Sequence, residues 1–346
     1  MLTKTEEKII GYAKNPAGGL KIAALGGGTG LSTLLRGLKL YTDNLTAIVT
    51  VADNGGSSGM LREDLGLLPP GDIRNCILAL ADAEPLMNDL LNYRFKDGRL
   101  SGQNFGNLLI AAMAAVSENF ADAVRKVSKV LAVKGDVLPV SLQNLQIGAR
   151  LSDGSVILGE SEIGNRPPLP DNPIVEVYME PAHSAVLPEA IAALRNADVI
   201  VLGPGSLYTS IIPHLLFAEI REVIAASKAP RVLVSNIMTQ PAETLGYDAA
   251  RHLSAILQHA RRSSAKGFLD YMIVNNAWID QRLIERYQLQ SAIPVLADRN
   301  AVETLGICMV DAPLACVSNG LLRHDHTVLA RTILRLALER PGLRHE

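Results

Sequence analysis

Apolar positions along the chain follow two rhythms. Short unbroken runs occur at Lys21–Leu25, Leu45–Val51, Val199–Leu202, Val232–Asn236 and Met272–Asn276. Each stops abruptly in glycine or polar residues, as a strand ending in a loop does. Continuous rather than alternating runs suit strands buried on both faces of a parallel sheet. Between them lie helical patterns, the clearest through Leu31, Leu34, Leu35 and Leu38. The pattern predicts further helices near Met60, over Ile73–Ala81 with Asp72 as cap, and over Leu86–Phe95, Leu108–Val116, Phe120–Leu131 and Thr327–Leu338. A short exposed helix is expected over Thr5–Ala13. The rhythm changes near Val137. Leu145–Leu151 and Val156–Glu160 alternate around Ser152-Asp-Gly-Ser155, a hairpin signal, and Ile174–Met179 alternates again. The fold class this predicts is α/β, Rossmann-like and doubly wound. A mostly parallel sheet would span 21–338, with a small antiparallel insertion over 137–180, an N-terminal extension over 1–20 and a tail over 339–346.

Composition narrows the picture. Hydrophobic residues make up 48% of the 346 residues but aromatics only 4%, so the core must be aliphatic. A formal net charge of -2 gives no electrostatic footprint for nucleic acid. Cys76, Cys308 and Cys316 show neither zinc spacing nor a disulfide framework, which fits a reduced, cytoplasmic setting. No signal-type apolar run opens the chain and no membrane span is expected.

The chemistry sits where strands end. Gly26-Gly-Gly-Thr-Gly30 joins a strand to a helix. Glycines there let the backbone turn and approach a ligand, and a helix start offers free N–H groups to an anion. Gly27, Gly28, Thr29 and Gly30 are therefore candidate phosphate contacts. No Gly-Lys-Ser/Thr follows, and the third glycine of G-x-G-x-x-G is missing, so neither familiar nucleotide fingerprint applies. In the second loop, Asp53, Asn54, Ser57 and Ser58 offer a carboxylate, an amide and two hydroxyls; the plain alternative is a capped turn. Arg74, Asn75 and Asn107 add donors near two helix starts, where ordinary capping competes. Gly203-Pro-Gly-Ser206 repeats the phosphate-cradle logic, with Gly203, Gly205, Ser206 and Tyr208 as candidates. His324 and His326 lack supporting metal ligands. No catalytic residue stands out.

Taken together, Leu25–Ser32, Thr50–Gly59, Pro69–Asn75, Gly203–Ser210, Asn236–Gln240 and Val310–His324 resemble the YvcK-type gluconeogenesis-factor family of the CofD-like superfamily. The resemblance runs from about Lys21 to Leu338. It implies a cytosolic protein that binds UDP-N-acetylglucosamine and regulates cell shape and cell-wall precursor supply during gluconeogenic growth. It assigns nucleotide-sugar contacts to Tyr287 and Arg323. It also carries an alternative: a CofD-like transferase moving a phospholactyl group, with magnesium at Asp53 and Asp72. Two departures count against transfer chemistry. Asn54 replaces a second acid common in relatives, and Gly102–Asn107 lacks their histidine. A third reading is an NAD-binding oxidoreductase, since Gly26–Gly30 with Asp53 imitates a dinucleotide site. An unidentified regulatory protein partner and a homo-oligomer are compatible with the sequence.

Overall fold

The computed structural model describes residues 2–82, 85–318 and 320–339. Helix α1 (Lys4–Lys14) precedes β1 (Ile22–Gly26), α2 (Gly28–Leu38) and β2 (Leu45–Val49). Helices α3 (Gly56–Leu65), α4 (Gly71–Leu80), α5 (Pro85–Asn92), α6 (Phe105–Ala115) and α7 (Phe120–Val130) lead to β3 (Asp136–Pro139). A three-stranded antiparallel sheet follows, made of β4 (Gln146–Leu151), β5 (Val156–Leu158) and β6 (Ile174–Glu180), with α8 (Glu160–Gly164) after β5. Parallel structure then resumes with α9 (Pro188–Asn196), β7 (Val199–Leu202), α10 (Ile212–Leu215), α11 (Ala218–Ala226) and β8 (Arg231–Val234). Last come α12 (Ala249–His259), β9 (Tyr271–Asn275), α13 (Gln281–Gln288), α14 (Arg299–Thr304), β10 (Cys308–Ala312), the hairpin β11 (Ala315–Ser318) and β12 (Leu321–His324), and α15 (His326–Glu339).

The central sheet has seven strands in the order β10-β9-β8-β7-β1-β2-β3, all parallel. Every residue of β1, β7 and β8 is buried. Helices cover such a sheet on both faces, which is why these strands read as unbroken apolar runs. Leu31, Leu34, Leu35 and Leu38 form the buried stripe of α2, spaced as one helical face requires. From β1 the chain winds outward to β2 and β3, and after the antiparallel unit it winds the other way through β7 to β10. The order therefore reverses between β1 and β7, and such reversals open a crevice at the carboxyl ends of the strands.

Several expectations need correcting. The antiparallel unit begins at Gln146, not Val137. Residues Asp136–Pro139 instead pair in parallel with Thr46–Val49 as the outermost strand of the main sheet. Four residues ending in proline give little strand signal, and proline is tolerated at such an edge. The N-terminal helix is docked rather than exposed: Ile9 is fully buried, and Glu6 pairs with Arg331 and Arg335 of α15. Helix α3 starts at Gly56, so Ser57 and Ser58 lie in its first turn. Asp72 does not cap α4, which starts at Gly71 and has no side-chain cap. Strand β10 and the β11–β12 hairpin were not foreseen. The final helix extends to Glu339, and the rest of the expected tail, 340–346, lies outside the described residues.

Candidate functional site

Strand β1 ends at Gly26, and α2 begins two residues later. So tight an exit needs Gly28 at φ +62°, the left-handed region that glycine enters without a Cβ penalty. The N-cap of α2 is Gly27, which has no side chain to satisfy the first amides of the helix. One of them, the Gly28 N–H, is taken by the Asp72 carboxyl; the others are left for another acceptor.

The loop after β7 meets this turn backbone to backbone. A Cβ on Gly30 would lie 2.3 Å from the Pro204 carbonyl oxygen. Between the two loops lies a cleft of about 260 Å³. Gly27–Gly30, Gly205 and Ser206 form its floor, and Asn236–Gln240, the turn after β8, forms a side. Tyr287 from α13 and Leu322–His324 from β12 close it. Gln240 Nε2 donates to Ser206 Oγ at 2.8 Å, which leaves the serine proton to donate onward. Gln240 Oε1 is buried without a partner.

Charge in the cleft is one-sided. Arg323 is the only charged side chain lining it among the described residues. Its neighbour His324 contributes no charge at neutral pH, because burial pushes its imidazole down to about 4. His324 Nε2 lies 3.0 Å from the Ser235 carbonyl, which the neutral ring can satisfy as a donor. Uncapped helix amides, a free hydroxyl proton and one guanidinium with no lining carboxylate make a cleft suited to an anion.

The sequence-predicted residues separate into two groups. Gly27, Gly28, Thr29, Gly30, Gly205, Ser206, Tyr287 and Arg323 all line the cleft. The other candidates do not, and each has a visible occupation. Gly203 holds the β7 turn at φ +79°. Ser57 Oγ donates to Gln103 Oε1 and accepts from the Asn104 N–H and Asn107 Nδ2, so it is a buried clamp between α3 and α6. Ser58 Oγ accepts the Gly71 N–H. Arg74 donates to Asn107 and Asn75. Asn54 is fastened to Ser161 and Glu162. Asp53 accepts the Gly55 N–H at 2.9 Å. Tyr208 is buried against Tyr247, its N–H bonded to Glu243. Gly28 and Ser206 thus share a pocket, whereas Ser57 lies apart. The turn Asn236–Gln240 was legible as polar residues after a strand and as a segment of the family resemblance, but no residue in it was named as a ligand contact.

Behind the glycine turn lies a knot of carboxyl groups. A Cβ on Gly27 would sit 2.5 Å from Asp72 Oδ2, so only glycine lets this carboxyl reach the turn. Burial, with help from the nearby Asp53 charge, raises Asp72 to about 6, and the Gly28 N–H partly opposes this. Glu160 is raised to about 8, mostly by burial and then by Asp53, Glu243 and Asp72. A carboxyl with a raised folded pKa favours folding while protonated. Its contribution is complete below the unfolded value of 4.5 and is lost as pH rises toward about 8. Glu160→Gln should therefore match the parent protein at pH 4 and exceed it at pH 9 by on the order of 2–4 kcal/mol. Urea unfolding at both pH values measures this; equal curves at pH 9 would contradict it. Among the described residues, no group of three or more His, Cys, Asp or Glu is arranged to hold a metal ion. No described helix is long and apolar enough to cross a membrane.

A parallel sheet with a glycine turn and a helix start on either side of its switch point defines a doubly wound α/β protein with a ligand crevice at that point. The chain belongs to the CofD family, in the branch of the gluconeogenesis factors. Residues 22–315 match the model described as 2-phospho-L-lactate transferase CofD. A putative gluconeogenesis factor of Thermoanaerobacterium thermosulfurigenes is 51% identical over 92% of this chain and 97% of its own. The gluconeogenesis factor of Bacillus subtilis is 44% identical over 92% and 98%. A crystal structure of a UPF0052-family protein from Bacillus halodurans superposes with a TM-score of 0.86 at 41% identity, covering 91% of this chain and 99% of that one.

Proposed function

We propose that this protein binds a nucleotide sugar, UDP-N-acetylglucosamine, and acts as a regulator of cell-wall precursor supply and cell shape during growth on gluconeogenic carbon. One observation carries the reading. The uncapped start of α2, the Ser206 hydroxyl and the single charge of Arg323 converge on one cleft at the switch point. A diphosphate bridging base and sugar supplies the anion this arrangement favours. The reading is supported by relatives that carry the name gluconeogenesis factor. Regulation requires that ligand binds two states of the protein unequally, so that occupancy shifts its affinity for a protein partner.

Calorimetric titration with UDP-N-acetylglucosamine tests this. Saturable binding with a Kd below about 1 mM, corresponding to at least about 4 kcal/mol, is expected. Absence of heat at millimolar ligand would remove the reading.

A second reading, a CofD-like transferase, is favoured by the position of Asp72 against Gly27 and by Asp53 beside it. Magnesium is commonly held by one or two carboxylates together with substrate phosphates, and Asp53 and Asp72 supply that number. The ion would neutralise phosphate charge there. Product formed from a nucleotide-diphosphate donor and a deazaflavin alcohol would decide for this reading.

A further inference from the structure

Tyr287 and Arg323 reach the cleft from two segments outside the main sheet, α13 and the β11–β12 hairpin. Each has little core of its own; β12 buries Leu322 and β11 buries no residue. Helix α13 buries no residue, and β11 and β12 pair only with each other. They are tied together at their cleft ends. The Tyr287 hydroxyl accepts the Leu322 N–H at 2.9 Å, and Arg286 donates to the Gly320 carbonyl.

Their roots meet at two oxygens: the Ala312 carbonyl, which accepts the Asn276 N–H at 3.0 Å and the Leu314 N–H at 2.8 Å, and the side-chain oxygen of Asn275. Asn275 is the last residue of β9, and its Oδ1 accepts N–H bonds from Ala277 at 3.1 Å, Leu314 at 2.9 Å and Ala315 at 2.8 Å. Ala277 starts the segment that leads into α13, while Leu314 and Ala315 start the hairpin. A carboxamide oxygen has two lone pairs, so three donors crowd it, and few side chains can offer such an acceptor at that point. The cleft is narrow, about 260 Å³, so small shifts of the wall bearing Tyr287 and Arg323 change its fit to a ligand.

We propose that Asn275 is a positioning residue for the ligand of this cleft: its side-chain oxygen holds α13 and the β11–β12 hairpin as one piece and sets where Tyr287 and Arg323 stand. The proposal rests on the nucleotide-sugar reading for its ligand, though not for its mechanics.

The test compares Asn275→Ala with Asn275→Asp, which keeps an acceptor oxygen. Titration with UDP-N-acetylglucosamine should show binding about tenfold or more weaker for Asn275→Ala and within about threefold of the parent for Asn275→Asp. In an Arg323→Ala background, adding Asn275→Ala should cost less than about threefold more, because the two act on one contact set. A purely structural role would instead give losses that multiply. Hydrogen exchange without ligand supplies an independent readout. Asn275→Ala should speed exchange in 281–288 and 315–324 together and leave the central strands unchanged.

Parent-like affinity for Asn275→Ala, or multiplying losses, overturns the proposal. If the parent protein takes up no ligand, the nucleotide-sugar reading fails instead. Exchange then decides alone: joint loosening supports the positioning role and unchanged exchange refutes it. Should Asn275→Ala not fold, Asn275→Ser, whose hydroxyl is too short to serve all three donors, goes through the same comparison.

Discussion

Alanine at position 323 is expected to weaken UDP-N-acetylglucosamine binding by about one to two orders of magnitude. A hydrogen bond to a charged group contributes about 1.5–3 kcal/mol, and each 1.4 kcal/mol is about tenfold in affinity. The fold should barely notice the change. The Arg323 side chain makes one long hydrogen bond in the structure, to the Leu322 carbonyl at 3.5 Å, and takes part in none of the ion pairs among the described residues. Binding and stability therefore separate at this residue. Arg323→Lys should fall between the two, because lysine keeps the charge but not the planar fork that grips two phosphate oxygens. Calorimetry measures both, and unchanged affinity for the alanine variant would take Arg323 out of the site.

The second large effect is expected at Gly30. A methyl group there would stand 2.3 Å from the Pro204 carbonyl oxygen and 2.7 Å from its carbon. Both are backbone atoms of the β7 loop, so no side chain can swing aside. Gly30→Ala should cost about 3 kcal/mol, the upper part of the usual range for overpacking, and should abolish ligand binding by prising the two loops apart. Gly11→Ala is the control. It lies within α1 with nothing inside 4 Å of the added carbon, and alanine there should stabilise by about 0.5–1 kcal/mol. Urea midpoints for the two variants should move in opposite directions. A parent-like midpoint for Gly30→Ala would show that the loops are not in contact.

How much of this was legible in the sequence depended on how local the cause was. Strands β1, β2 and β7 announced themselves because burial on both faces writes an unbroken apolar run. The glycine turn at 26–30 was legible for the same reason: the demand for φ +62° at Gly28 is met within the turn itself. Tyr287 and Arg323 came from family resemblance, not from any rhythm of residues around them. What stayed hidden was set by distant neighbours. Ser57 looked like a phosphate donor until Gln103, Asn104 and Asn107 claimed its hydroxyl from nearly fifty residues away. Tyr208 was diverted in the same way by Glu243 and Tyr247. Asn275 gave no signal, because two of its three donors lie about forty positions downstream.

The reversal of strand order between β1 and β7 bears on how the protein is made. The turn at Gly28 emerges from the ribosome early, but its counterpart at Ser206 is nearly two hundred residues behind it. A chain that stops short of Ser206 owns no complete binding site, because the cleft needs both turns. Ligand can then recognise only molecules whose second half has been synthesised and docked, and by mass action it favours those over every incomplete form.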